Sequence, residues 1–243
     1  MMKQFLRQTV ALFPQANSLG ADLVTALKQQ GYEVMCGVPP SDRPWWEQWE
    51  STVDPNAGMG HAWFVNGDFE TEKSVSSLID DMVQRSDVCG NFPVQQSWPS
   101  TENFPSLPDW PLELWERTVS QTLRQAFLIA QRVVEEFVVN QTRGKLVYVF
   151  QGEKTNIGVA TYHTALYSFV RSITKEYGAR GVACNAILTN SVESTMSSQD
   201  TANQPFSDPL GMEGRWLDGP GKLAVFLLSP ESDFVNGNVF TVE

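Results

Sequence analysis

Hydrophobic residues alternate along the chain between short continuous runs and stripes at helical spacing, and this pattern predicts an α/β fold. The continuous runs predict strands over residues 8–13, 32–36, 62–65, 146–150 and 182–188. The helical stripes predict helices over residues 19–29, 70–84, 112–140, 159–178 and 222–228. Residues 146–188 form a complete strand–helix–strand unit, which is long enough for a crossover between two parallel strands.

Three tryptophans, Trp45, Trp46 and Trp49, lie in a polar, proline-containing stretch over residues 38–60. Their spacing places the three rings on one side of a short helix. Such a helix either packs on the sheet through these rings or offers a hydrophobic surface to a partner protein. We favour the packed helix, because an apolar side is more often buried than left open for a partner.

The length of 243 residues suits one α/β domain, residues 1–243, with a sizeable core. Hydrophobic residues make up 42% and charged residues 19%, as is typical of a globular protein. The net charge of −11 argues against nucleic acid as a partner, and the sequence has no apolar run long enough for a membrane span. The cysteines Cys36, Cys89 and Cys184 are widely spaced, which predicts buried free thiols and a cytoplasmic protein.

A set of motifs follows the strand predicted over residues 146–150. It consists of R-S-I-T-K-E at residues 171–176, R-G-V at 180–182 and N-A-I at 185–187. This order resembles the short-chain dehydrogenase/reductase family, in which a Y-x-x-x-K helix ends in K-E and is followed by R-G-I-x-V-N. The resemblance extends over nearly all of the chain and implies a three-layer, Rossmann-like, doubly wound parallel sheet in a single domain.

The family binds the pyrophosphate of NAD(P) at a turn after the first strand, T-G-x-x-x-G-x-G. In this chain Pro14 and Ser18 replace the first two glycines, and only Gly20 matches. Proline has no N–H to donate, and both side chains occupy space that the family leaves open for the pyrophosphate. We therefore expect NAD(P) binding to have been lost and no cofactor to be bound.

Other parts of the family's cofactor site are reduced to single matches. Asp68 matches an aspartate that contacts adenine in the family, although it could equally cap the helix predicted over residues 70–84, and we favour the cap. Asn91 alone matches the family's N-N-A-G motif. The acid that holds the ribose after the second strand is absent from residues 36–38, which read C-G-V.

The family's four catalytic positions all hold other residue types in this chain. The asparagine, serine, tyrosine and lysine positions are Thr122, Gln151, Val159 and His163. Valine has no proton to transfer, and a neutral imidazole cannot replace the fixed positive charge of lysine. The resemblance therefore implies that the acid–base set of the family is absent and that no catalytic residue is to be expected.

His163 is the best candidate for a rebuilt active site. Residues 159 and 163 face the same way on a helix, so the imidazole is expected to point toward the family's catalytic cavity. The side chains that could join it are Thr122, Gln151, Tyr162 and Tyr167. The simpler alternative is a hydrogen-bonded histidine that fills a disused pocket. His61 has no ligand at metal-binding spacing, so we expect no metal site.

The predicted helices 112–140 and 159–178 correspond to the family's four-helix subunit interface, and apolar residues occupy more than one face of helix 112–140. We expect a catalytically inactive structural or regulatory subunit, paired with an active relative or with itself. The complex would act on an acyl-CoA, acyl-carrier or similar carbonyl substrate. The alternatives are an NAD(P)-independent enzyme around His163 and a homodimeric protein that binds a small acyl or aromatic ligand under residues 191–219.

Overall fold

The computed structural model describes residues 9–52, 60–86, 91–97, 106–151, 157–189 and 219–242. The predictions for Cys89 and for the covering segment 191–219, apart from Gly219, lie outside these residues. Cys36 and Cys184 are both buried and free, as predicted. Burial raises the pKa of each thiol, so both stay protonated and unreactive in the core.

Strands and helices alternate along the described residues; five of the seven strands were predicted from the hydrophobic pattern, whereas Asn91–Ser97 and Val239–Val242 were not. The strands are Thr9–Leu12 (β1), Glu33–Val38 (β2), Ala62–Asn66 (β3), Asn91–Ser97 (β4), Gly144–Gln151 (β5), Val182–Thr189 (β6) and Val239–Val242 (β7). The helices are Ser18–Gln29 (α1), Arg43–Thr52 (α2), Glu72–Ser86 (α3), Leu112–Trp115 (α4), Gln121–Val139 (α5), Ile157–Tyr177 (α6) and Pro220–Leu228 (α7).

The strand pairs of the described residues are parallel. β1, β2 and β3 are neighbours in that order, and β4 to β7 follow one another in the second half. A parallel bridge between Phe13 and Val94 joins β1 to β4, which gives the order β3-β2-β1-β4-β5-β6-β7. The winding direction reverses between β1 and β4, so the prediction of a doubly wound, Rossmann-like sheet is confirmed.

Two hydrophobic clusters, one on each face of the sheet, produce the three layers. On one face α3, α5 and α6 bury residues such as Ile79 and Val133 against the strands. On the other face α1, α2 and α7 bury residues such as Leu23 and Leu227. Each such side chain contributes about 1.5–3 kcal/mol relative to an exposed one, so burial on both faces holds the helices to the sheet.

The tryptophans of α2 pack inward, which confirms the interpretation favoured from their spacing. Trp46 is fully buried, and Trp49 is 7% exposed. The Trp46 ring lies 5.4 Å from that of Trp49 and 5.0 Å from that of Phe64, between ring centroids. The helix therefore covers the β3 end of the sheet with its aromatic side, and that side is not a free surface for a partner.

The helix predicted over residues 70–84 begins two residues later than expected. Its cap is a reciprocal pair in which Thr71 Oγ1 accepts from Ser74 N at 3.1 Å and Ser74 Oγ accepts from Thr71 N at 3.2 Å. Asp68 lies in the preceding turn, where its carboxylate accepts a hydrogen bond from Glu70 N at 3.1 Å. The prediction that Asp68 caps this helix is therefore wrong, because the Thr71–Ser74 pair satisfies the first turn.

The long helix predicted over residues 112–140 is interrupted. A π-helical turn, Glu116–Ser120, lies between α4 and α5. The extra residue of a π turn rotates the following helix relative to the preceding one, and such turns often occur at functional sites. Among the helices of the described residues, none has the length and hydrophobicity needed to span a bilayer.

Candidate functional site

The amino end of α1 opens at the carboxyl edge of the sheet, where β1 and β4 diverge. Asn17 caps this helix, because its side-chain oxygen accepts from Gly20 N at 2.9 Å and its carbonyl accepts from Ala21 N at 3.1 Å. The two preceding amides, of Ser18 and Leu19, have no acceptor within the helix. These amides and the positive end of the helix dipole suit an anion such as a pyrophosphate.

The turn that leads into α1 is built without the glycines that the family resemblance called for. Pro14 is buried, and Asn17 N donates to Gln15 O at 2.9 Å, so the chain turns between residues 14 and 17. The Ser18 side chain is exposed at the helix end, and Gly20 is buried beneath it. The helix end therefore reaches the crossover by a proline–asparagine turn, and Pro14 does not prevent this.

Asn91 does not belong to this edge of the sheet. It is the first residue of β4 and pairs with Lys145 near the start of β5, at the amino edge. Gln95 and Gln96 occupy the carboxyl half of β4 instead, next to Val149 and Phe150 of β5. The prediction that Asn91 is a remnant of the cofactor site is corrected, because Asn91 begins β4 and so lies at the edge of the sheet opposite the α1 amino end.

Thr122 follows the π turn at the start of α5 and is nearly buried. Its hydroxyl donates to Thr118 O at 2.5 Å, and the Thr118 hydroxyl donates to Leu114 O at 2.7 Å. Both threonines thus bond to carbonyls that the π turn and its flanks expose. Thr122, at the family's asparagine position, therefore lies next to a helix distortion that the hydroxyls of Thr118 and Thr122 stabilise.

Val159 and His163 lie one turn apart on α6, both 2% exposed. The His163 ring stacks on Phe150 at the end of β5, with 6.2 Å between ring centroids and 23° between planes. Tyr162 lies beside it at 5.7 Å and is fully buried. Burial raises the pKa of the Tyr162 hydroxyl well above 10, so this tyrosine stays protonated at neutral pH.

The structure brings three of the four predicted catalytic positions to one place. Gln151 is the last residue of β5 and pairs with Thr189 of β6. It directly follows Phe150, whose ring stacks on that of His163. Val159, in the first turn of α6, packs in the same hydrophobic cluster as Phe150. These residues therefore lie around the carboxyl end of β5, on the edge of the sheet that also holds the α1 amino end.

His61, which the sequence left without a ligand partner, lies against a carboxylate. The Nδ1 atom of the His61 ring is 3.5 Å from Glu33 Oε1, and the backbone N–H of His61 donates to Glu33 Oε2 at 3.2 Å. Among the described residues, no group of three or more metal-ligating side chains comes together. The pair sits near the amino ends of β2 and β3, away from the edge that holds α1 and His163.

Residues 15–243 match the family described as enoyl-(acyl carrier protein) reductase. Because this match covers most of the chain, the chain belongs to the short-chain dehydrogenase/reductase family.

Curated relatives include sugar and sugar-acid dehydrogenases as well as 3-oxoacyl-(acyl carrier protein) reductases. A gluconate 5-dehydrogenase of Gluconobacter oxydans is 30% identical over 53% of this chain and 54% of its own length. A 2-dehydro-3-deoxy-D-gluconate 5-dehydrogenase of Pseudoalteromonas atlantica is 28% identical over 54% and 55%. An L-rhamnose 1-dehydrogenase of a Sphingomonas species is 24% identical over 100% and 97%. The chain spans about half the length of the first two.

Solved structures share the fold at low identity. A gluconate 5-dehydrogenase of Burkholderia cenocepacia in complex with NADP and tartrate superposes with a TM-score of 0.71 at 16% identity, covering 97% of this chain and 93% of that one. A citronellol catabolism dehydrogenase of Pseudomonas aeruginosa gives 0.73 at 17% identity, covering 97% and 92%. At such identities the likeness establishes the fold alone.

These relatives correct three predictions made from the sequence. The expectations of a catalytically inactive subunit and of lost NAD(P) binding are wrong, because residues 15–243 match a family of reductases and the relatives above are dehydrogenases, one of them named for its use of NAD(P)(+). The alternative of an NAD(P)-independent enzyme is overturned by the same findings. The error came from reading the loss of motif residues as the loss of the site, whereas the α1 amino end still lies at the sheet crossover.

Proposed function

We propose that this chain is an NAD(P)-dependent oxidoreductase that interconverts a hydroxyl and a carbonyl group on a small polyhydroxy substrate, such as a sugar or a sugar acid. The observation that carries the proposal is the match of residues 15–243 to a family of reductases. The substrate class rests on the relatives that act on gluconate derivatives and on rhamnose. The acidic charge and the buried free thiols support a cytoplasmic enzyme.

In this proposal the amino end of α1 holds the pyrophosphate of the cofactor. The amides of Ser18 and Leu19 donate to it, and the exposed Ser18 hydroxyl adds a further donor. The Asn17 cap keeps these amides fixed at the crossover between β1 and β4. When bound, the nicotinamide supplies or accepts the hydride.

His163 is proposed as the residue that moves the proton. Val159 cannot do so, and burial raises the pKa of the Tyr162 hydroxyl, so this phenol holds its proton tightly. An imidazole can both give and take a proton, so His163, although only 2% exposed, is proposed to exchange one with a substrate oxygen that reaches its ring. Stacking on Phe150 fixes the plane of the ring at the carboxyl end of β5.

Cofactor binding can be tested apart from catalysis. Ser18→Asp places a carboxylate at the amino end of α1, where it favours the helix but repels a pyrophosphate. We expect its dissociation constants for NADH and NADPH, from tryptophan fluorescence, to rise at least about tenfold. Ser77→Asp, on the exposed side of α3, introduces the same charge elsewhere and should bind like the wild type. Failure of the wild-type protein to bind either dinucleotide at millimolar concentration would overturn the proposal.

Turnover is measured with gluconate, 2-dehydro-3-deoxygluconate and L-rhamnose in the presence of both dinucleotides. His163→Phe retains an aromatic ring beside Phe150 but removes the titrating nitrogens. We expect kcat to fall about 100-fold or more while the NADPH dissociation constant and the thermal midpoint stay near wild type. Turnover within a few-fold of wild type would remove His163 from the proton-transfer role.

A second candidate substrate is an acyl-carrier thioester. The description of the matched family, an enoyl-(acyl carrier protein) reductase, favours it. The same assay with a 3-oxoacyl and an enoyl thioester separates the two classes, because the proposal requires a higher kcat/KM for the polyhydroxy substrate.

We further propose that the chain associates with itself through α5 and α6. Phe127 of α5 is 50% exposed, and its ring lies 6.4 Å from that of Phe169 on α6. Val139 at the end of α5 and Ile157 at the start of α6 are also exposed, at 71% and 44%. Large apolar side chains left open on two adjacent helices favour a partner that covers them.

A further inference from the structure

A cavity of about 380 Å³ lies at the amino edge of the sheet, opposite the edge that holds α1 and His163. It forms where β4, β5 and β6 begin, and the first residues of these strands, Asn91, Gly144 and Val182, line it. A cavity of this size suits a small organic molecule. The proposed oxidoreductase function uses the carboxyl edge, so this cavity is a separate place on the molecule.

One wall of the cavity is a fixed ammonium group. Lys145, whose side chain is 13% exposed, donates to Ser229 O, to Ser232 Oγ at 2.9 Å and to Asp233 Oδ1 at 2.7 Å. These three acceptors use the three protons of the ammonium and hold it in place at the end of α7. Lys145 therefore contributes positive charge to the cavity without being free to move.

The other cation in the wall is Arg143, and the backbone is shaped to hold it. Gly181 has a φ of 89°, and a Cβ at this position would lie 2.9 Å from Arg143 Cγ. The glycine thus allows the arginine stem to lie flat against the chain. Within the described residues, no carboxylate lies within 4.0 Å of the Arg143 guanidinium, so its donors remain open to a ligand.

The lining carries a net positive charge in a strongly acidic protein. Its charged members are Arg143, Lys145 and Asp233, that is, two cations and one carboxylate. Asp233 forms its salt bridge with Lys145 and interacts with Arg143 through charge alone, which leaves the guanidinium without a salt-bridge partner in the lining. A planar guanidinium binds the two oxygens of a carboxylate or phosphate in parallel, a geometry that an ammonium cannot provide.

We propose that this amino-edge cavity binds a small organic anion through its carboxylate or phosphate group, with Arg143 as the bidentate donor and Lys145 as the supporting charge. The anion would sit across the sheet from the cofactor end of the fold. Its binding would tie the starts of β5 and β6 to the loop after α7, since all of these line the same cavity.

The test uses sodium phosphate and sodium citrate at constant ionic strength, with isothermal titration calorimetry and thermal unfolding of the full chain. We expect both anions to raise the thermal midpoint of the wild type, and the stronger of the two identifies the preferred oxyanion. Arg143→Gln should weaken binding at least about tenfold. Arg171→Gln removes an equal charge from the exposed side of α6 and should bind as the wild type does.

A second variant tests the effect of the negative charge in the cavity lining on anion binding. Asp233→Asn removes the carboxylate from the lining and should tighten binding of the same anion. Absence of any heat or shift in the wild type, or equal binding by Arg143→Gln, would overturn the site. Competition by saturating NADP would also overturn it, because the anion would then occupy the carboxyl edge. This result is independent of whether the chain turns over a sugar substrate.

Discussion

Asp22 in α1 is a half-buried carboxyl whose ionisation opposes folding. Burial raises its pKa from 3.8 to about 6, since the charged form loses its hydration. The folded protein therefore holds the proton more tightly than the unfolded chain. The resulting stability is fully present below about pH 4 and is lost as the pH rises through about 6. Asp22→Asn, which is neutral throughout, should be about 2 kcal/mol more stable than wild type at pH 7.5 in urea unfolding.

The pKa of Asp233 is shifted in the opposite direction to that of Asp22, so this residue is a useful control. The hydrogen bond from Lys145 lowers the pKa of its carboxyl, so its contribution is present above the unfolded pKa and is lost as the pH falls through the folded one. Asp233→Asn should therefore be less stable than wild type at pH 7.5. If Asp22→Asn were destabilised at that pH as well, its carboxylate would be making a favourable contact rather than paying for desolvation.

Gly144, the first residue of β5, lies directly under the ring of Phe137. A Cβ at position 144 would stand 2.1 Å from the Phe137 ring, closer than any real contact. Phe137 is 2% exposed and packs edge-on against Phe92 at 5.6 Å, so it has no room to withdraw. Gly144→Ala should cost about 3 kcal/mol in the free energy of unfolding, measured by urea denaturation.

Two variants distinguish this steric clash from a general loss of stability when glycine is replaced by alanine in this region. Gly178→Ala places its Cβ 3.3 Å from the nearest atom, Asn236 Nδ2, and should change stability by much less. Phe137→Leu in the Gly144→Ala background should recover part of the loss, although the single change Phe137→Leu is itself destabilising. Equal losses for Gly144→Ala and Gly178→Ala would contradict the steric explanation.

At the scale of elements, an ion-pair network joins α3 to α5. The guanidinium of Arg132 contacts Asp80 of α3 and lies 2.7 Å from Glu136 one turn further along α5. The Arg132 side chain is only 18% exposed, so water screens it less than a surface pair. A double-mutant cycle of Arg132→Gln and Asp80→Asn should give a coupling of about 1 kcal/mol in low salt.

The Arg85–Asp81 pair supplies the comparison. It lies within α3, and its side chains are 62% and 37% exposed. The same cycle on this pair should give about 0.3 kcal/mol and lose most of it in high salt. Equal coupling for the two pairs would mean that the partial burial of Arg132 adds nothing to the link between the helices.

The elements that the sequence located well are those with long periodic stripes. α1 and α6 were predicted within about two residues, because their buried faces repeat at helical spacing over three or more turns. β4 was not predicted as a strand, because its buried residues Phe92 and Val94 flank Pro93 and the segment resembles a loop. The alternation of Phe92 and Val94 was the signal that would have placed the strand correctly.

At the scale of the whole molecule, the sequence predicted the fold more fully than it predicted the function. The sheet order follows from strand–helix alternation and parallel crossovers, which need only patterns along the chain. The proposed site depends on the backbone amides at the start of α1, which the Asn17 side chain fixes, and on a π turn before Thr122, and neither carries the family's motif residues. Motif comparison therefore identifies the family, whereas these backbone features are found only in the structure.

The last prediction concerns assembly. Phe127 is half exposed on α5 and touches Phe169 on α6, so a charge placed there would lie in the centre of the proposed self-association surface. Phe127→Asp should yield a monomer in light scattering at concentrations where the wild type is a dimer or larger, because burying an unpaired carboxylate costs several kcal/mol. Phe226→Asp changes a ring that is 38% exposed on α7, which packs on the opposite face of the sheet, and serves as the matched control. A wild type that is monomeric at the same concentration, or a Phe226→Asp variant that dissociates while Phe127→Asp does not, would place the contact elsewhere on the surface.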